Sequence, residues 1–429
     1  MPYISNLSSL LVRLNITIIG TWILLASNIH AATAKNPLYH IPPEACKQCH
    51  EEIYEQWRTS MHANSSAIKD PIHAMFYQAV VGDPTKEGMK KKGKFPVCLK
   101  CHAPIAALEK TTKLDAAPAY TNGIGCTSCH SISGFIGTTK PNGKPRYGID
   151  AHIIDQHFLH GASGNIYTTK RVPENAAWPT PIHHPQPLKG NNAALYQSND
   201  ICLGCHDKRS NSNKTSLCTT GEEYAAAQGK VNCQSCHMGI VTVPKLKNGH
   251  MVPGEFVSIA DHRMGGGHDP RMVARGVALE MNIDVAQTVI ATTITLRNRL
   301  PHNFPTGAPF RNLFLKVATY DASGKELWKN YHVHPIKDDP KAAFWYVLGD
   351  ANGRPTFPPK ATQVLADTRL KANEMRVLKY NIPRVLNTAI VRAELYYDLL
   401  LPPMKAMAKG KIPDNLLLPK LAASAEIRL

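Results

Sequence analysis

The chain has 429 residues, 43% hydrophobic and 19% charged, which excludes a single small domain and allows two or three with substantial cores. Its formal charge of +17, from 49 Lys and Arg against 32 Asp and Glu, would suit a nucleic-acid binder. The placement of its 11 cysteines gives that charge another meaning.

The first 34 residues read as a secretory leader. Arg13 precedes an apolar run, Leu14 to Ala26, and Ala32-Thr33-Ala34 offers a small-x-small cleavage pattern. The run is shorter than the roughly 20 residues of a bilayer span. Cleavage after Ala34, with Ala31 as second choice, would therefore leave no membrane span. An uncleaved anchor from Leu10 to Ala26, with Arg13 snorkelling, is the minority alternative. No cysteine near the cleavage site invites a lipid anchor.

An exported, cysteine-rich chain would ordinarily carry a disulfide framework. Here ten of the cysteines fall instead into five copies of C-x-x-C-H: Cys46-Cys49-His50, Cys98-Cys101-His102, Cys126-Cys129-His130, Cys202-Cys205-His206 and Cys233-Cys236-His237. Two thiols three residues apart can add to the two vinyl groups of one porphyrin, and the adjacent histidine is then held beneath the iron. Zinc ribbons have no reason to place His after every second Cys, and iron-sulfur clusters want four thiolates and no regular histidine. Five covalent haem c groups are expected, with His50, His102, His130, His206 and His237 as proximal ligands. Cys218 is left over as an unpaired thiol. About ten haem propionates would offset most of the positive charge, so no nucleic-acid partner is expected. The run from Lys86 to Lys94, with Lys90, Lys91 and Lys92 between, is either a solvated loop or a docking patch for an acidic redox partner.

In the first motif, Ile53, Tyr54, Trp57 and Met61 recur at helical spacing, predicting a helix over 51–62. Twelve residues of helix rise about 18 Å, whereas two axial nitrogens on one iron lie about 4 Å apart. His50 and His62 must then serve different irons unless the helix breaks between them. From 35 to 271 the chain is poor in long amphipathic runs and rich in Gly, Pro, Asn and His. Short helices and loops wrapped around a haem array, with porphyrins as the core, are expected there.

A second axial histidine closes an iron into an electron carrier, and an empty position opens it to chemistry. Beyond the five motif histidines and His30 in the leader, His62, His73, His152, His157, His160, His183, His184, His250, His262, His268, His302, His332 and His334 are enough to close every iron. Met61, Met75 and Met238 are rival ligands that would raise the potential.

After Gly265-Gly266-Gly267 alternation appears: Ile290, Thr292, Ile294 and Leu296; Leu313, Leu315, Val317 and Thr319; Val391, Ala393, Leu395 and Tyr397. With 321–326 as a hairpin turn, residues 272–429 read as an antiparallel β-sandwich, immunoglobulin-like in architecture without its disulfide.

The order of these motifs, with YEQWRTSMHA after the first, GIGCTSCHSISG, HRMGGGHDPRM and PHNFPTGAPFRNL, resembles the multihaem c-type cytochromes of the cytochrome c-554-like group, related to the tetrahaem electron carrier of nitrifying bacteria. The resemblance spans roughly residues 44 to 320. It implies His62 as a distal ligand, then His262 or His268, His302, and one of His183 and His184. For the fifth iron it leaves His152, His157 and His160. None of the motifs has lysine for histidine, so the proximal-lysine arrangement of pentahaem nitrite reductases is absent.

The resulting expectation is an exported electron-transfer protein, in the periplasm or at the cell surface, with five mostly bis-histidine haems and redox proteins as partners. Two alternatives stand beside it: an oxidoreductase acting on a small nitrogen or sulfur compound at one five-coordinate haem, and a subunit of an extracellular cytochrome filament. No phosphate loop, nucleophile triad or nucleotide fingerprint competes.

Overall fold

Proline and glycine punctuate the first half so densely that its helices stay short. The computed structural model describes residues 37–167, 188–247 and 250–429; the leader, His183 and His184 lie outside them. The helices that matter for the site are α1 (Pro43–Lys47), α2 (Glu51–Arg58), α3 (Pro71–Val80), α4 (Leu99–His102), α5 (Cys126–His130), α6 (Asp200–His206), α7 (Thr220–Ala226) and α8 (Cys233–His237). The longest of these, α3, has 10 residues. Helices of this length do not persist alone in water, so packing holds them.

Helix α2 ends at Arg58, short of the expected 62. The Asn64 side-chain amide donates to the carbonyls of Arg58 at 3.2 Å and Ser60 at 2.7 Å, and Thr59 Oγ1 donates to the Gln56 carbonyl at 2.8 Å. These bonds satisfy the last carbonyls and stop propagation. Trp57 from the expected stripe is buried, and its indole N–H donates to the Ile124 carbonyl at 2.9 Å.

A two-stranded ribbon, β1 (Ile240–Lys247) and β2 (His250–Ala260), follows α8. The chain then builds two antiparallel sheets. One joins β3 (Val277–Val285), β4 (Val289–Asn298) and β7 (Met375–Pro383). The other runs in the order β6 (Glu326–Lys329), β5 (Asn312–Tyr320), β8 (Ile390–Asp398) and β9 (Lys420–Arg428), with Ala343–Phe344 also pairing with β5. Burial follows the alternation in the sequence. Ile290, Ile294 and Leu296 of β4, Leu313, Leu315 and Val317 of β5, and Val391, Ala393 and Leu395 of β8 meet in one dry core. β5 is buried on its second face as well, where Phe314 packs against Tyr396, His334 and Tyr331. At the hairpin turn the Asp321 carboxylate accepts from the amides of Ser323 and Lys325.

This β core is not closed off from the first half. Ile72 of α3 lies inside it, and Phe76 stacks on Phe310 with centroids 5.0 Å apart. Asn211 donates to the carbonyls of Pro358 and Ala361, each at 2.7 Å. Residues Leu38–Leu429 form one compact unit. Among the described residues no helix is long and apolar enough to cross a membrane.

Candidate functional site

Each C-x-x-C-H segment sits on a turn of helix, which brings side chains three and four residues apart onto one side. The His50 amide bonds the Cys46 carbonyl at 2.9 Å, and the His102 amide bonds that of Cys98 at 3.0 Å. Segments 126–130 and 233–237 are themselves the helices α5 and α8, and 202–206 ends α6. The segments also adjoin one another. Cys46 reaches Cys126, Cys101 reaches Cys205, and Cys202 reaches Cys233, each pair within hydrogen-bonding range. α6 packs against α4. The amide of Cys233 donates to the Asn199 side chain at 2.8 Å, just ahead of α6. The Tyr196 hydroxyl donates to the Cys129 carbonyl at 2.8 Å, and its ring stacks on His130. The 202–206 segment therefore touches two of the other four, and Cys129 of a third lies near Cys202 and Cys205.

The histidines sort by what their ring nitrogens meet. A metal-ligating imidazole holds its orientation by donating its second N–H to a carbonyl or carboxylate. Six histidines place Nδ1 on a backbone carbonyl: His102 and His73 both on Ser65 (3.1 and 2.9 Å), His130 on His160 (2.6 Å), His237 on Gly265 (2.7 Å), His262 on Ala260 (2.8 Å) and His302 on Asn303 (2.9 Å). Nε2 of His73 is buried without a partner. By contrast, His160 is occupied at both nitrogens, with Asp155 Oδ2 at 3.0 Å and Asn192 at 2.9 Å. His152 Nε2 faces the Asp200 carbonyl at 3.3 Å, and His157 is exposed.

Several of these rings are brought together. His62 faces His206 with centroids 6.2 Å apart, close to the roughly 6 Å expected when two imidazoles bind opposite sides of one metal at about 2 Å each. His73 lies over His102 at 4.0 Å. His302 is near His237, and His262 near both His130 and His50. His62 Nδ1 touches Met264 Sδ at 2.8 Å. Burial, reinforced by the neighbouring imidazoles, lowers His62 and His206 to about 4; burial also lowers His73 to about 4 and, joined by Arg311 and Lys420, His268 to about 3. Burial likewise depresses His102, His130, His262 and His302. These rings are neutral at pH 7 and offer a lone pair to a metal. Burial raises the Cys129 thiol to about 11, and Cys218 is also raised.

His73 was not singled out in the sequence: its partner lies across a tertiary contact, and its setting, three residues after the Asp70 cap of α3, carries no local sign of ligation. A buried clamp also had no sequence signal. Glu223 of α7 pairs with Arg369 Nη1 at 2.8 Å and accepts from the Asn303 amide at 3.2 Å and Thr306 Oγ1 at 2.6 Å, fixing the loop that carries His302.

Five cysteine-pair segments beside paired, neutral, carbonyl-oriented imidazoles define a multihaem c-type cytochrome. The family described as cytochrome c554 and c-prime matches residues 45–131. A solved structure of a penta-heme cytochrome c552 from Thermochromatium tepidum is 41% identical, with a TM-score of 0.80, covering 92% of this chain and 100% of its own. No curated protein matches. The chain belongs to the cytochrome c554 family, and it carries five covalently bound haem c groups. The residues fit them: there are five thiol pairs, and His73 Nε2 is buried without a hydrogen-bond partner, its lone pair free for a metal.

Proposed function

We propose that this is an exported pentahaem electron-transfer protein most of whose irons are closed by histidine on both sides. The observation that carries the reading is the facing pair His62 and His206 at 6.2 Å. The thiols of the five motifs hold the haems, with His50, His102, His130, His206 and His237 proximal. His62 pairs with His206 and His302 with His237; His73 serves the iron of His102 once the haem parts their rings from 4.0 Å, and His262 serves the iron of His130 or of His50. Each bound haem supplies one-electron chemistry at its iron. The chain's own work is to place, orient and tune. The Ser65, His160, Gly265, Ala260 and Asn303 carbonyls fix the imidazole planes and raise ligand basicity. Burial keeps protons off the rings, and the contacts of Cys46 with Cys126, Cys101 with Cys205 and Cys202 with Cys233 set short spacings between neighbouring sites. The two C-terminal sheets, packed face to face as a sandwich, lend His302 to the array.

Lys86, Lys90, Lys92 and Lys94 are exposed and form no ion pair with any described residue. Glu87, which could have neutralised them, is engaged instead by Thr111, the Thr112 amide and the Gly88 amide. The loop runs directly into the Cys98 motif, which suits a port for an acidic redox partner. Low-temperature electron paramagnetic resonance of the oxidised holoprotein tests the ligation. At least four low-spin signals are expected, and a high-spin signal that shifts on adding nitrite or hydroxylamine would favour an enzyme instead.

A further inference from the structure

Where β9 meets the loop before β5, two half-buried cations lie close together with no ion-pair partner among the described residues. Lys420, opposite Tyr397 in the sheet, has a buried Nζ with no hydrogen-bond partner. Arg311, one residue before β5, donates from Nη1 to the Thr306 carbonyl at 3.4 Å and reaches the Tyr397 hydroxyl. Neither forms an ion pair among the described residues. The nearby carboxylates are engaged: Asp398 is held by Lys405 Nζ at 2.5 Å, and Asp70 caps α3 through the Ile72 amide at 2.9 Å. His206 lies near Arg311, and His268 near both cations. Glycine at 267 lets the loop press against Tyr397, whose hydroxyl would lie 2.3 Å from an added Cβ.

Two half-buried cations with no ion-pair partner, beside two neutral imidazoles, favour an anion that joins them. We infer that Arg311 and Lys420 together hold one oxyanion next to His206, either a carboxylate of the haem borne by Cys202 and Cys205 or a small free oxyanion. The inference rests on His206 as an iron ligand, and it makes the C-terminal strand a determinant of one haem's potential.

The test compares wild-type holoprotein with Lys420→Met, Arg311→Gln and Lys420→Arg. Losing a cation beside an iron disfavours reduction, so Lys420→Met and Arg311→Gln should each move one of five midpoint potentials negative and lower the unfolding temperature. Lys420→Arg should preserve both. If the anion is the haem's own, nitrite leaves the wild-type spectrum unchanged. If it is free, nitrite alters that spectrum, and Lys420→Met abolishes the response. A Lys420→Met protein that unfolds at higher temperature with all five potentials unmoved overturns the inference, because an unpaired ammonium would then have been removed. Loss of low-spin signals in the wild type would fail the ligation reading separately, since the comparison between variants does not depend on it.

Discussion

Replacing Arg369 with alanine tests the clamp that holds His302 in place. The guanidinium and the Glu223 carboxylate are 9% and 7% exposed, and they meet at 2.8 Å. Arg369 also binds Asp367 through Nε at 2.8 Å and Nη2 at 3.0 Å, and its guanidinium covers the Tyr346 ring at 4.6 Å. Without it, Asp367 keeps Lys371, but Glu223 is left as a buried carboxylate with only neutral donors: Thr219, Thr306 and the Asn303 amide. Removing one member of such a pair costs about 3–5 kcal/mol. With an unfolding entropy of about 2.1 cal/mol/K per residue over roughly 390 residues, the holoprotein should unfold about 4–6 °C lower. Differential scanning calorimetry reads this shift. Glu223→Gln keeps a hydrogen-bonding group and should lose less. Because Glu223 also grips the loop after His302, Arg369→Ala should loosen that ligand and produce a partial high-spin signal. Unchanged melting with five low-spin haems would refute the reasoning.

His73→Ala should convert one haem of five to high spin in electron paramagnetic resonance, whereas His152→Ala, whose Nε2 faces a carbonyl, should convert none. Changing Lys90, Lys92 and Lys94 together to glutamate should slow electron transfer with an acidic partner by about 10-fold or more at low ionic strength, and the difference should shrink with added salt in stopped-flow measurements. Gly148→Ala should cost about 1–3 kcal/mol in denaturant unfolding, since φ is +55° there and the new Cβ would lie 2.0 Å from the Lys100 carbonyl oxygen behind the second motif. Burial pushes the Asp367 carboxyl up, but Arg369 and Lys371 bring it below its ordinary value. Its contribution should be complete above about pH 4 and disappear as pH falls through the lowered value, a limb of the acid-unfolding curve that Arg369→Ala should reduce.

What the sequence made legible was whatever depends on neighbours along the chain. The C-x-x-C-H segments need only one turn of backbone, and the buried faces of β4, β5 and β8 follow from two-residue alternation. Helix α2 was read too long because periodicity registers the apolar stripe to Met61 but not the Asn64 amide that captures its last carbonyls. His73, Glu223 with Arg369, and Arg311 with Lys420 escaped for one shared reason. Each acquires its role from a partner far away in the chain, 146 residues away for Glu223 and Arg369, and no local pattern encodes such a meeting.

The pairing of His62 with His206 also has a meaning for the unfolded chain. On the proposed ligation, a haem attached at Cys202 and Cys205 and also held by His62 would tie two points of the polymer into a ring of roughly 145 residues. By the loop-entropy relation used for disulfides, a ring of that size removes about 5 kcal/mol of freedom from the unfolded ensemble. Unlike a disulfide, such a tie would open when the imidazole is protonated and close again when it is not, which would make the cross-link a reversible one.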